Sequence, residues 1–323
     1  MEIMRIETQH VEAAANLFQH SYQNLRKEIA VLPKEHENVA EVIGFMNEFL
    51  KEHSGMVALE EGQVVGYLMG FLFDEPFFNS FSSAYVPVWG HCAREEGKTI
   101  IYQELYTKCA SLWVEKAHFT HCISLLSTDV VAIGACSWLG FGMRVVDAIR
   151  EMTPIEIVPD HRFTYRLATL EDVPAVSQIA ISHQKYMTHS PLFMPLFEEE
   201  DESYYTAFIQ DPDKKVWVVI CEQEVIGYMQ IEKSTGGTTH IVSDPDAIAI
   251  TGAFTKEAFR GLGIAKGLLS EVMLWGIENK KSLCSVDFET FNVQGARFWL
   301  KHFKPVCLSF VRVIDNRIIK SEN

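Results

Sequence analysis

Three sequence echoes at one spacing constrain this chain more than any other feature. "MRIETQHVEA" near the start returns as "YRLATLEDVPA", "EEGQVVGYLMGF" as "CEQEVIGYMQIE", and "GACSWL" as "GARFWL". Arg5 thereby matches Arg166, Gly66 matches Gly227 and Trp138 matches Trp299, each pair 161 positions apart. A spacing of half the chain length is the mark of a duplicated domain. The 323 residues also exceed the usual size of one domain, so two are expected on length alone. The joint falls in "MTPIEIVPDH", where Pro154 and Pro159 punctuate a connector, which sets the copies at 1–153 and 160–323.

Each copy reads as a first strand, an amphipathic helix, a hairpin, and then further strands and helices. In the second copy the helix is expected over Val173–His183, capped by Thr169 or Asp172, and the hairpin over Val216–Cys221 and Val225–Glu232. A strand follows at Ala247–Thr255. After it Ile264, Leu268, Val272 and Trp275 recur as one helical face, and "LCSVDFE", "NVQGARFWLKHF" and "VCLSFVRVI" complete the copy as strand, helix and strand. Strands alternate with helices only in part, so the fold class is mixed α+β or α/β.

Composition excludes several functions. A net charge of −15 disfavours nucleic acid as a partner and fits either a cationic substrate or an acidic surface kept for solubility. Seven scattered cysteines with no CxxC pair suit reduced thiols, hence a cytoplasmic location. The start of the chain lacks the pattern of a signal peptide, so export is not expected. The apolar span Ile123–Val146 is broken by Asp129, Gly and Ser and reads as strand, helix and strand, not as a membrane segment. "HFTHC", His118–Cys122, lacks a second ligand cluster, and no metal is expected. Whether the chain pairs as a homodimer is left open by the sequence.

The chemistry concentrates in "EAFRGLGIAKGLL", Glu257–Leu269. A strand that ends at glycines and turns into a helix leaves backbone N–H groups pointing outward at the positive end of the helix dipole, which is an anion site. Gly261 and Gly263 remove the Cβ atoms that would hold a diphosphate away, Ala265 is small, and Arg260 and Lys266 add charge. Close packing of the helix on the sheet would also use small residues here. A Walker loop is absent, and the third small residue of the dinucleotide fingerprint falls on Lys266, with Gly267 one place late.

The string "RGLGIA", Arg260–Ala265, resembles the acetyl-CoA motif of the GCN5-related N-acetyltransferase (GNAT) family. "DFETFNVQGARFWLKHF", Asp287–Phe303, is similar to a second motif of that family, with Asn292, Ala296, Phe298, Trp299 and Phe303 in matching places. The resemblance covers the second copy and, in outline, the first, which ends in "WLGFG". It implies two tandem GNAT-like domains, each a mostly antiparallel sheet flanked by helices, with acetyl-CoA as cosubstrate. Backbone groups of Ala253, Phe254 and Thr255 would pair with the pantetheine arm. The N–H groups of Arg260, Gly261, Leu262, Gly263, Ile264 and Ala265, with Lys266 beside them, would hold the pyrophosphate, and Asn292 would orient the arm. Phe254 as core, Arg260 as a solvated charge and Asn292 as a helix cap are the ordinary alternatives.

Two departures stand out. The family's usual tyrosine acid is replaced by Trp299, which has no proton to give, and the strand before the loop carries no Glu. Asp287 and Glu289 share a face of the next strand, and Glu289, expected nearer the thioester, is the candidate proton acceptor. In the first copy the 161-residue offset sets Thr99 against Arg260 and Val131 against Asn292. Neither "TIIYQE" nor the acidic "REEGKT" offers a phosphate loop, so that copy is expected to keep the fold without the cofactor. The acceptor would meet the variable segment from His183 to Phe208, which includes His189, Tyr186, Tyr204, Tyr205 and the acidic run Glu198–Glu202. The expected activity is acetyl transfer to a primary amine of a small molecule or peptide, the alternative a non-catalytic acyl-CoA-binding or regulatory protein.

Overall fold

A computed structural model of the protein describes residues 1–75, 82–196, 201–234 and 239–318. In chain order the elements are β1 (Glu2–Arg5), α1 (Thr8–Glu28), α2 (Val39–Glu52), β2 (Gly55–Glu60), β3 (Gln63–Met69), β4 (Phe71–Phe73), β5 (Ser83–Val86), β6 (His91–Ala93), α3 (Lys98–Glu115), β7 (Thr120–Leu126), α4 (Val130–Trp138) and β8 (Gly142–Glu151). They continue as β9 (Thr164–Leu167), α5 (Val173–Thr188), α6 (Glu202–Gln210), β10 (Lys215–Cys221), β11 (Glu224–Lys233), β12 (Ala247–Thr255), α7 (Ile264–Glu278), β13 (Leu283–Glu289), α8 (Val293–His302) and β14 (Lys304–Val313). Among the described residues no helix is long and apolar enough to cross a membrane.

The chain divides into two compact units, Met1–Asp147 with Pro305–Asn323, and Ala148–Lys304. These differ from the expected copies, 1–153 and 160–323, at the joint, where Ala148–Thr153 fall in the second unit, and at the end of the chain. The reason for the latter is backbone pairing: β14 lies antiparallel to β7, Cys307 opposite Leu126 through Val313 opposite Thr120, so the last strand belongs to the first unit.

Both units are mixed α/β. In the first, β1, β2, β3 and β6 form an antiparallel sheet, while β5 pairs with β7 in parallel and β4 pairs with β5 antiparallel. In the second, β9, β10, β11 and β12 are antiparallel, and β12 runs parallel to β13. The duplication is visible in backbone detail. The β2–β3 hairpin turns at Glu61 and Gly62 with φ of 51° and 79°, the β10–β11 hairpin at Glu222 and Gln223 with 49° and 71°, the left-handed pair that a two-residue hairpin loop requires. A register shift falls between Ala58 and Leu59 in one and between Val219 and Ile220 in the other, again 161 positions apart.

The second unit's core packs Val173, Val176, Ile179 and Ala180 of α5 and Tyr205 and Phe208 of α6 onto Val216, Val218 and Tyr228 of the sheet. Thr169 caps the turn before α5 in a capping box with Asp172, which also takes two bonds from Arg166 at 2.6 and 2.8 Å. Helix α5 runs to Thr188, past the expected His183, and carries Tyr186 and Met187 toward the site. All seven cysteines are free thiols, and six are buried.

Candidate active site

Strands β12 and β13 are in register from Ala247 opposite Leu283 to Ile250 opposite Val286, and beyond that the pairing ends. The two strands part, and a cleft of about 630 Å³ opens between them, bounded by α5, the loop before α7, and α8. A register shift where β12 meets Gln230 and Ile231 of β11 adds one residue, Thr251, to β12, the kind of bulge that bends a strand.

Strand alternation decides which backbone groups face the gap. Lys256 N–H donates to the Ile226 carbonyl at 2.9 Å, so in the antiparallel pattern Phe254 bonds to β11 while Ala253 and Thr255 turn their N–H and C=O groups away from it. The expected three-residue backbone edge is therefore two residues, Ala253 and Thr255. Phe254 lines the cleft with its ring, which stacks on His183 at 5.0 Å between centroids.

The loop Lys256–Gly263 then carries the chain into α7. Gly261 and Gly263 have φ of 79° and 81°, and a Cβ built on either would meet nothing within 4 Å, so the turn is open. The six N–H groups of Gly261, Leu262, Gly263, Ile264, Ala265 and Lys266 have no acceptor within the protein among the described residues. The run is bounded on both sides. Arg260 N–H bonds to the Glu257 carbonyl at 3.1 Å, which removes it from the expected phosphate set, and Gly267 N–H returns to Gly263 at 3.0 Å. Gly267 has a separate reason to be glycine: a Cβ there would lie 2.3 Å from the Tyr165 ring. Unpaired N–H groups at a helix start, with cations beside them, attract an anion. Lys266, Lys301 and His302 line this side of the cleft, and burial together with Arg150, Lys301 and Lys266 disfavours a further positive charge on His302.

Asn292 caps α8, its Oδ1 accepting from Gly295 N–H at 3.1 Å and from the Tyr186 hydroxyl at 3.2 Å. Its cap role is thus present together with its place on the cleft wall. Trp299 is buried on α8 and lines the cleft with Phe298. Asp287 and Glu289 both reach the cleft from β13. Asp287 is open to water yet enclosed by the cleft walls, and this desolvation, with the charge of Glu289 next, raises its pKa from 3.8 to about 6. Glu289, the proton acceptor expected from sequence, lines the cleft, and beside it Asp287 holds a proton more strongly than an ordinary carboxylate. His183, half-buried in the cleft wall and near Arg260, falls from 6.5 to about 4, mainly by desolvation, and is neutral near pH 7.

His183, Tyr186 and Met187 line the cleft, whereas Tyr205 belongs to the core and His189 and Tyr204 lie outside the lining. Residues Glu198–Glu200 of the acidic run lie outside the described residues. Gln294 and Lys301 on α8 were not singled out by sequence, because a lone amide or cation on a helix carries no pattern. Among the described residues no group of three His, Cys, Asp or Glu side chains could hold a metal.

The first unit carries the same scaffold with different contents. Ala93, opposite Gly66, corresponds to Thr255, opposite Gly227, but only four residues, Arg94–Gly97, separate it from α3, against the eight of Lys256–Gly263. Gly97, with φ 71°, is the counterpart of Gly263, so Thr99 lies inside the helix and is not the loop position expected from the 161-residue offset. Likewise the counterpart of Asn292 is the α4 cap Asp129, which accepts from Ala132 N–H at 3.0 Å, and not Val131.

In the second unit, then, a helix start faces a parted parallel pair. Residues 184–303 match the family model described as Acetyltransferase (GNAT) family. That segment, inside the second unit, thus carries the GNAT domain's sequence pattern, and members of that family are acyltransferases. The chain is similar to a GCN5-related N-acetyltransferase from Sphaerobacter thermophilus, with TM-score 0.58, 12% identity, and coverage of 96% of this chain and 95% of that one. At that identity the likeness concerns fold alone, and it extends over both halves. A tandem GNAT protein from the clavulanic acid biosynthesis pathway aligns with TM-score 0.46 and 13% identity over 97% and 98% of the two chains. No curated protein matches the chain.

Proposed function

We propose that the second unit transfers an acetyl group from acetyl-CoA to a primary amine of a small molecule or peptide by direct attack. The observation that carries this reading is the run of six N–H groups, Gly261–Lys266, without an acceptor among the described residues, beside a cleft with a strand edge that no neighbouring strand pairs. The run and Lys266 would hold the diphosphate. Ala253 and Thr255 would pair with the pantetheine amides, which brings the thioester toward Thr251 and β13. The Asp287–Glu289 pair takes the proton of the incoming ammonium, Asp287 with its pKa raised to about 6 and so able to accept near neutral pH. The amine nitrogen then attacks the thioester carbonyl to form the C–N bond, the C–S bond breaks, and the proton lost from the nitrogen passes through water to the departing thiolate. Placement of the two reactants supplies much of the acceleration.

A second reading, an acyl-CoA-binding protein without turnover, is favoured by one observation: Trp299 stands where a proton donor is expected and has no proton to give the thiolate. Melting curves of the full chain test the binding step. Acetyl-CoA at a hundred times its Kd should stabilise the second unit by about 2.7 kcal/mol, and Gly263→Glu should remove the response without unfolding the chain. A shift with ATP or NAD and none with acetyl-CoA would reject both readings. Thiol release with a panel of amines separates transfer from binding alone.

A further inference from the structure

Arg260 is held in the cleft by neutral partners. Its Nε donates to the Thr255 carbonyl at 3.2 Å and a terminal nitrogen donates to Gln294 Oε1 at 3.1 Å. Its guanidinium carbon lies 4.7 Å from the Tyr186 ring centroid and 5.1 Å from that of Phe254. Among the described residues no carboxylate pairs with it.

The carbonyl it occupies matters. Thr255 C=O is one of the groups turned away from β11 into the gap, and so one that a pantetheine amide would take if the proposed function holds. We propose that Arg260 is a specificity-determining residue for the acyl donor: it surrenders the Thr255 carbonyl only to a thioester that also brings a diphosphate. Displacing the guanidinium breaks a charge-assisted bond and loosens its stacking on two rings, and a bare pantetheine arm returns only a neutral amide. A diphosphate seated on Gly261–Lys266 gives the guanidinium an anion that fits its fork. Arg260 immediately precedes that run, so rotation of its own side chain suffices for the exchange. Coenzyme A thioesters are therefore accepted, and thioesters carried on a phosphate-free pantetheine arm are refused.

Calorimetric titration of the full chain with acetyl-CoA and with S-acetylpantetheine, which lacks phosphate, tests this in the parent, Arg260→Ala and Arg260→Lys. Arg260→Ala should weaken acetyl-CoA about tenfold and tighten S-acetylpantetheine about tenfold, opposite movements from one substitution. Arg260→Lys, which keeps the charge and loses the fork, should fall between, and it provides the readout should the alanine variant melt early. Both donors weakening together, neither changing, or no detectable S-acetylpantetheine binding in Arg260→Ala would each overturn the inference. The Gly263→Glu variant separates the two claims. If it still binds acetyl-CoA, the functional reading itself falls; if it does not, and the Arg260 variants move both donors alike, only the donor-selection role falls.

Discussion

The short loop Arg94–Gly97 and the long loop Lys256–Gly263 follow corresponding strands and open corresponding helices through a left-handed glycine. In the long one a Cβ on either glycine would meet nothing within 4 Å, and six N–H groups have no acceptor among the described residues. In the short one Lys98, the first helical residue, folds inward, 2% exposed at its side chain, and bonds Glu95 at 2.7 Å and Asp129 at 2.9 Å. Burial pulls its pKa down, and the bonds it donates to Glu95 and Asp129, with their charges, outweigh this and hold it above the ordinary lysine value. His91, at the place of Ala253, bridges toward β7. Its Nε2 reaches the Ser124 carbonyl at 2.8 Å and its Nδ1 the Tyr102 hydroxyl at 2.7 Å. Burial, the leading effect, lowers His91 to about 4, so the ring is neutral, donating from Nε2 and accepting from the tyrosine at Nδ1. The first unit closes with its own polar side chains the gap that the second leaves open. An anion site on this scaffold thus needs loop length and missing side chains, not the fold alone.

The largest expected effect comes from writing one lock into the other unit. Ala253→His places the first unit's ring where the pantetheine arm is proposed to run, and acetyl-CoA binding should weaken by more than about a hundredfold, close to 3 kcal/mol. Circular dichroism should show the fold retained, since Ala253 borders a cleft. A variant that binds as the parent does would mean that the arm takes another path.

The next effect concerns stability. Lys98→Met leaves Asp129, largely buried, without its cation and should destabilise the chain by roughly 3 kcal/mol in urea unfolding. Lys266→Met, at the open loop, should change stability by less than about 0.5 kcal/mol and instead weaken acetyl-CoA. Equal effects on stability would break the contrast between lock and cradle.

Much of this was legible in the sequence. The echoes at Arg5, Gly66 and Trp138 revealed the duplication because the hairpin keeps its turn and bulge, and "RGLGIA" marked the open loop because the absence of side chains is itself a sequence signal. The register beyond the hairpin was not legible. Gly97 and Gly263 are separated by 166 positions and the caps Asp129 and Asn292 by 163, since length changes collect in loops where no pattern constrains them. Trp138 shows the limit: counted from the caps it stands at the place of Lys301 and not of Trp299, and it is exposed at 86% where Trp299 is buried at 9%. Nor could spacing choose between Asp287 and Glu289, because the choice rests on how closely the walls surround each carboxylate.

A pH profile sharpens that choice. Where the second unit has Asp287 and Glu289, the corresponding places in β7 hold Ser124 and Leu126, both buried. The parent's kcat/KM should rise with pH to a plateau, with an apparent pKa near 6 belonging to the carboxylate pair. Asp287→Asn should remove that rise and lower the plateau by about a hundredfold. The stability sign is opposite. A raised carboxyl pKa favours the protonated folded state, so its contribution is complete below the unfolded value near 3.8 and is lost as pH climbs through about 6. Asp287→Asn should flatten this fall, and an unchanged activity profile would remove Asp287 from the chemistry.

The smallest effect tests whether Gly267 belongs to the anion site or to packing. It is the fourth residue of α7, as Ile101 is of α3, and the crowding runs in opposite directions in the two units. In the first, Ile101 presses on Gly66 of the sheet, where a Cβ would meet it at 2.5 Å; in the second, Tyr165 of the sheet presses on Gly267 of the helix. Gly267 N–H is already bonded to Gly263, so it offers nothing to a phosphate. Gly267→Ala gains helix propensity but must push the outer end of the Tyr165 ring aside, and a net loss of about 1 kcal/mol is expected, a fall of roughly 2–4 °C in Tm. The acetyl-CoA affinity should not move. If affinity fell while Tm held, the glycine would be part of the phosphate cradle, and the boundary drawn at Lys266 would have to shift one residue into the helix.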